Sequence, residues 1–91
     1  MHFDQAKALH ATVGDVAGEA TALGDLAILR AEQGDMVEAI AMWEQSRDMS
    51  GSVSDKVGLR RHLRNLSIAY AQVGRSEDEA LAQKALSKLD E

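Results

Sequence analysis

The chain has 91 residues, 45% of them hydrophobic, with one Phe, one Trp, one Tyr and neither proline nor cysteine. This length suits a single domain, and the missing cysteines exclude disulfides and thiolate metal sites. The net charge of -5 argues against a general nucleic-acid binder, because such proteins neutralise phosphates with basic residues. No run of residues approaches the about 18 apolar positions that a membrane span needs. We therefore expect a soluble, cytoplasmic protein that binds neither nucleic acid nor membrane.

Five helices are predicted in chain order. Apolar residues recur at steps of three and four, which is the spacing of one face of an α-helix, and alanine, the strongest helix former, is abundant. The predicted helices cover residues 2–12, 16–33, 36–49, 55–73 and 77–89. The fold class predicted from this pattern is all-α, with about five antiparallel helices.

Apolar stripes along these helices predict the core. The clearest stripe comprises Leu59, Leu63, Leu66, Tyr70 and Val73. Earlier stripes comprise Leu23, Leu26, Leu29 and Ala31, followed by Met36, Val37, Ile40, Met42 and Trp43. Because Trp43 and Phe3 lie on such stripes, we interpret both as core residues and not as ligand-stacking residues.

Glycine and aspartate mark the corners between helices. Gly34 and Gly74 can adopt the left-handed conformation that ends a helix, and Asp35 can cap the helix that follows. Asp15 and Asp55 are predicted to cap their helices in the same way. The segment SGSVS, residues 50–54, is interpreted as a longer corner.

The sequence also repeats itself at a spacing of forty residues, a signature of stacked helical repeats. This shift superposes seven pairs within residues 14–35 and 54–75: Asp15 on Asp55, Gly18 on Gly58, Leu23 on Leu63, Leu26 on Leu66, Ile28 on Ile68, Ala31 on Ala71 and Gly34 on Gly74. It also places Phe3 on Trp43 and Leu9 on Met49. The first helix therefore corresponds to the second half of a repeat.

This pattern resembles the tetratricopeptide repeat, in the forty-residue form seen in kinesin light chain. The residues that carry the resemblance are Leu23, Leu26, Ala27, Gly34, Ala39, Ile40 and Trp43, then Leu63, Leu66, Tyr70, Gly74, Ala80 and Leu81. The resemblance implies a single domain over residues 1–91, stacked as a right-handed α-solenoid. Residues 1–13 would be the second helix of an incomplete repeat, 14–53 a complete repeat and 54–91 a final repeat. Matching Ala80 to Ala39 requires one extra residue in the last repeat, which predicts an irregular terminal helix.

The resemblance further implies a concave groove that holds a peptide or protein segment. The predicted groove residues are Asp25, Ile28, Glu32, Arg61, Arg64, Asn65, Ile68 and Gln72, with Thr21 and Gly24 beside them. Asn65 matches an asparagine that bonds to ligand backbone in many members, and Arg61 and Arg64 resemble residues that clamp a carboxylate. The groove would be acidic at its early end, with Asp25 and Glu32, and basic at its later end, with Arg61 and Arg64, which predicts a ligand of mixed charge.

Several alternatives remain open at this point. The groove charges could pair with one another, with little effect on stability, and Ile28 and Ile68 could pack between helices. The chain could also self-assemble, because the helix of residues 2–12 lacks a hairpin partner and leaves Phe3 and Leu9 half covered. A further alternative is that the chain is one segment of a longer repeat protein.

No catalytic or metal site is predicted. His2, His10 and His62 lack the spacing of a metal motif, and the serines and glycines lack the surroundings of a nucleophile elbow or a phosphate loop. We therefore expect no cofactor, no metal and no enzymatic activity.

Overall fold

A computed structural model describes residues 12–90, and within that range the chain forms four α-helices and no strand. They are α1 (Val13–Glu32), α2 (Met36–Ser52), α3 (Lys56–Gln72) and α4 (Ser76–Leu89). The all-α prediction is confirmed, with four helices in the described part where the sequence predicted about five over the whole chain. The predicted helix 2–12 and its residues Phe3 and Leu9 lie outside the described residues.

Three corners of equal length separate the helices. Each corner contains one residue in the left-handed conformation, and the backbone N–H of the residue after it donates to a carbonyl five positions earlier in the chain. These hydrogen bonds run from Asp35 to Arg30 at 2.9 Å, from Asp55 to Ser50 at 2.9 Å and from Arg75 to Tyr70 at 2.8 Å. The left-handed residues are Gly34, Ser54 and Gly74, with φ of 86°, 56° and 77°. This bond satisfies a carbonyl that the helix end leaves without a partner. The prediction of a longer corner at residues 50–54 is wrong, because α2 continues to Ser52.

The helix starts confirm two of the three predicted aspartate caps. Asp35 accepts from the backbone N–H of Glu38 at 3.2 Å, and Asp55 accepts from that of Gly58 at 3.1 Å. Asp15 is not the cap of α1. Thr12 occupies that position, and the two residues exchange side-chain to backbone hydrogen bonds, so α1 begins earlier than predicted.

Each helix packs against the next one in the chain, and α1 also contacts α3. The buried core comprises Ala27, Ala39, Ile40, Trp43, Leu63, Leu66, Ala69, Tyr70 and Ala82. Ala27 and Ala39 are completely buried, as the close approach of α1 and α2 requires. Trp43 is buried in the core as predicted.

Four predicted stripe residues are instead exposed: Leu26, Leu29, Val37 and Val73. Val37 lies in the first turn of α2, on nearly the opposite side from the buried Ala39. Val73 is the C-terminal cap of α3 and therefore lies outside the regular helix. On α1, the buried positions are the small residues Ala20, Gly24 and Ala27, so the two leucines lie on another face.

The start of the last helix follows the forty-residue shift, whereas its buried positions do not. Helix α4 begins at Ser76, forty residues after Met36 at the start of α2. It buries Ala82, while Ala80 and Leu81 are exposed. Ala80 therefore does not share the burial of Ala39, its predicted match, and within residues 12–90 α4 packs against α3 alone.

Candidate functional site on the face shared by α1 and α3

The eight predicted groove residues lie on α1 and α3, two helices that contact each other. Seven are exposed and Asn65 is half-buried: Asp25, Ile28 and Glu32 on α1, then Arg61, Arg64, Asn65, Ile68 and Gln72 on α3. Steps of three and four residues place each set along one side of its helix. We call these eight residues the groove face.

Two isoleucines give the groove face an apolar component. Ile28 is 40% exposed and Ile68 is 60% exposed, although each lies in a well-formed helix. The two positions are forty residues apart and therefore equivalent in the repeat. Packing among the helices of residues 12–90 leaves both side chains accessible.

A shallow depression of about 380 Å³ lies on α3 at the basic end of the groove face. It is lined by Val57, Arg60, Arg61, Arg64 and Asn65. The structure therefore brings three predicted residues together and adds Val57 and Arg60, which the sequence analysis missed. Their spacing of three, four and seven residues along one helix was the signal that could have identified them.

Arg60 differs from the other two arginines because it has a carboxylate partner. Its Nη2 lies 3.1 Å from Oδ1 of Asp90, which follows the end of α4. This ion pair lies at one edge of the depression. Asp90 is a contributor that no local pattern could have indicated, because it is thirty residues away in the chain.

The opposite charges of the groove face do not pair within the part of the chain that the structure describes. The ion pairs there are Arg47 with Asp48, Arg60 with Asp90, and Arg75 with Glu44 and Asp78. No ion pair within 4 Å joins Asp25 or Glu32 to Arg61 or Arg64 in residues 12–90. In the same range the side-chain amide of Asn65 has no hydrogen-bond partner, although it can both donate and accept.

Thr21 and Gly24, expected beside the groove face, are not available on it. Thr21 is half-buried and its hydroxyl donates to the carbonyl of Ala17 at 3.0 Å. Gly24 is buried against the ring of His62, which is also completely buried. Beneath the groove face, Gly24 of α1 and His62 of α3 therefore pack directly against each other.

A second polar contact lies at the seam between α2 and α3. The hydroxyl of Tyr70 donates to Oε2 of Glu44 at 2.6 Å, and the guanidinium of Arg75 lies 4.8 Å from the centre of the tyrosine ring. Burial and the bond to Glu44 raise the pKa of Tyr70 to about 12. This contact tightens the junction between the two hairpins and lies apart from the groove face.

Two further structural findings bear on the class of function. Residues 12–90 contain no group of three or more His, Asp or Glu side chains placed to hold a metal ion. In the same stretch no helix is both long and apolar enough to cross a membrane.

Comparison with protein families gave one match, to the model described as tetratricopeptide repeat, which covers residues 18–87. That segment includes the whole groove face and most of α1 to α4. Comparisons with curated proteins and with solved structures gave no significant match.

Proposed function

The chain belongs to the tetratricopeptide repeat family, whose repeats generally mediate protein–protein interactions, and on that premise we propose that its groove face binds a peptide or protein segment of mixed charge. The family is typically non-catalytic, and we assign this chain no enzymatic role. With no cysteine in the sequence, a cytoplasmic location suits the module.

The observation that carries this proposal is the equivalent pair of exposed isoleucines. Leaving apolar surface in water has a free-energy cost of about 25 cal/mol per Å². Ile28 of α1 and Ile68 of α3 are both exposed in this way, at equivalent positions of the two helices that form the groove face. A ligand that covers both side chains would recover this free energy.

The charges around the isoleucines indicate the polarity of the ligand. Asp25 and Glu32 make α1 acidic, while Arg61 and Arg64 make α3 basic. A guanidinium can hold a carboxylate through two parallel hydrogen bonds, and the depression on α3 brings its arginines beside the amide of Asn65. We therefore propose that the ligand places an acidic group against α3 and a basic group against α1.

Paired charge reversals test this proposal. A peptide library of varied charge, presented to the whole chain, supplies the ligands. Arg61→Glu with Arg64→Glu should weaken binding of the selected peptides at least tenfold, because two attractive contacts become repulsive. The matched control is Lys84→Glu with Lys88→Glu, which makes the same charge change on α4 and should leave binding unchanged. Unchanged binding in the arginine variant, with helical circular dichroism retained, would refute the proposed site.

A second candidate function is self-association. Leu26 and Leu29 of α1 are 38% and 46% exposed, whereas the equivalent Leu66 and Ala69 of α3 are buried. A second copy of the chain could cover this apolar face of α1. The helix with Phe3 and Leu9, to which the sequence analysis gave this role, lies outside the described residues.

Light scattering over a wide concentration range tests self-association. A dimer that dissociates in Leu26→Glu with Leu29→Glu, but persists in Val37→Glu with Leu81→Glu, would support it. The second pair is the control, because Val37 and Leu81 are exposed on other helices. A monomer at every concentration would exclude this function.

A further inference from the structure

His62 lies where α1, α2 and α3 come together. Its side chain is 0% exposed. If Gly24 of α1 carried a Cβ atom, that atom would lie 2.8 Å from Cε1 and 3.1 Å from Nδ1 of the His62 ring, and 3.9 Å from Oγ of Ser46 on α2. The imidazole therefore packs directly against the backbone of Gly24, and this contact sets the separation of α1 and α3.

The ring nitrogens of His62 have no hydrogen-bond partner among residues 12–90. Ser46, the polar neighbour from α2, donates its hydroxyl to the carbonyl of Met42 at 2.9 Å. A neutral imidazole has one N–H donor and one acceptor, whereas the protonated ring is a cation with two donors. Burial of an unpaired cation is far less favourable than burial of the neutral ring.

The charged groups that act on His62 come from two sides. Burial and the charge of Arg61 lower the pKa of His62 from its usual 6.5, while Asp55 and Asp25 oppose the shift. Asp25 belongs to α1 and Asp55 caps α3; Ser46 of α2 adds no charge. The ring is therefore neutral at neutral pH. Two carboxylates favour its protonated form, Asp55 first and then the exposed Asp25 of α1.

We propose that His62 is a proton-sensitive positioning residue for the groove face: the neutral ring holds α1 and α3 at their present separation, and the protonated ring, which has no partner in its buried site, moves away from Gly24. Because Asp25 and Arg61 lie on the two helices that His62 separates, this motion changes the spacing between the acidic and basic sides of the groove face. Only the effect of this changed spacing on ligand binding rests on the proposed function, since the motion of His62 and Gly24 requires no ligand.

A pH titration of the whole chain followed by NMR tests the inference. The ring Cε1 proton of His62 should titrate below pH 6.5, and the backbone amides of Gly24 and Ser46 should shift with the same midpoint. The amide of Ala82 on α4 should not follow that midpoint, because it lies away from the three-helix junction. Titration of His62 at its usual value without a change at Gly24 would overturn the inference, as would a uniform change that includes Ala82.

Two variants separate a positioning role from a merely structural one. Asp25→Asn should move the His62 midpoint to lower pH, since its carboxylate favours the protonated ring. Glu19→Gln removes the same charge from α1 nearly two turns earlier and should leave the midpoint in place. An unchanged midpoint in Asp25→Asn would contradict the proposal even without any other variant.

His62→Phe keeps a flat ring that cannot titrate, so the shift of Gly24 should disappear. A folded His62→Phe chain in which Gly24 still shifts with the original midpoint would overturn the inference. If this variant does not fold, the comparison of Asp25→Asn with Glu19→Gln still decides the matter. None of these measurements uses a peptide ligand, so their failure is distinguishable from failure of the proposed binding function.

Discussion

Helices α1 and α3 hold equivalent places in the forty-residue repeat, yet they bury different residues. Leu66 and Ala69 of α3 are 0% and 2% exposed, whereas Leu26 and Leu29 at the same positions of α1 are 38% and 46% exposed. Helix α3 lies between α2 and α4, while α1, within residues 12–90, packs against α2 and contacts α3. Which residues a helix buries therefore depends on which helices flank it in the stack, and not only on the spacing of its apolar residues.

Truncation of the equivalent leucines gives the largest expected difference. Leu66→Ala should lower the free energy of unfolding by about 3 kcal/mol, because it leaves a cavity in a fully packed site. Leu26→Ala should lower it by about 1 kcal/mol or less, because its side chain is already partly in water. Urea unfolding followed by circular dichroism measures both. Equal losses would mean that the outer face of α1 is as well covered as that of α3.

Arg30 of α1 and Tyr70 of α3 are also equivalent in the repeat, and they allow the polar contacts of the two helices to be compared. Tyr70→Phe should cost about 1.5 kcal/mol, because it removes a hydrogen bond to a carboxylate. The equivalent Arg30 bonds to its neighbour Gln33 at 3.1 Å, and Arg30→Ala should change stability by less than about 0.5 kcal/mol. Similar losses in the two variants would argue against a special role for the contact between Tyr70 and Glu44.

The same tyrosine gives a prediction for alkaline pH. With its folded-state pKa raised from 10 to about 12, the stability that Tyr70 contributes is complete below pH 10 and is lost as pH rises toward about 12. Tyr70 is the single tyrosine of the chain, so phenolate absorbance reports it directly. Ionisation near pH 10 in the folded protein would contradict the buried bond to Glu44.

The smallest expected effects concern the corners. Ser54 holds a φ of 56°, which is strained for any residue with a side chain. Ser54→Gly should therefore raise the free energy of unfolding by about 1 kcal/mol, and Gly74→Ala should lower it by about 1 kcal/mol. Nothing lies within 4 Å of a Cβ atom added at Gly74, so backbone strain alone is measured. Thermal unfolding of both variants checks the opposite signs, and shifts of the same sign would contradict the equivalence of the corners.

Much of the local architecture could be predicted from the sequence, because it depends on neighbours in the chain. Gly34 and Gly74 were identified from their freedom to adopt positive φ, and Asp35 and Asp55 from their ability to cap. Ser54 was missed because its left-handed conformation is imposed by the corner and opposes the preference of a serine. The start of α1 was misplaced because Thr12 and Asp15 act together, and only their mutual hydrogen bonds show which of them is the cap.

The exposed side of the candidate site was also predictable, since spacing along a helix fixes which residues share a face. Arg61, Arg64 and Asn65 could therefore be grouped from the sequence and lie together on the depression of α3. The partner of Arg60 could not be predicted, because Asp90 reaches it from the end of another helix. The burial of His62 against Gly24 likewise required knowledge of how three helices meet.

The sequence by itself determined the helical class, the forty-residue repeat, the two glycine corners and the residues that share the groove face. These features follow from backbone preferences and from the 3.6-residue period, both of which act over a few positions. The tertiary structure decided which equivalent leucine is buried, which serine is strained, how His62 packs against Gly24, and which residues of other helices Tyr70 and Asp90 contact. Those outcomes depend on the packing of helices that are distant in the chain, and no local preference encodes such contacts.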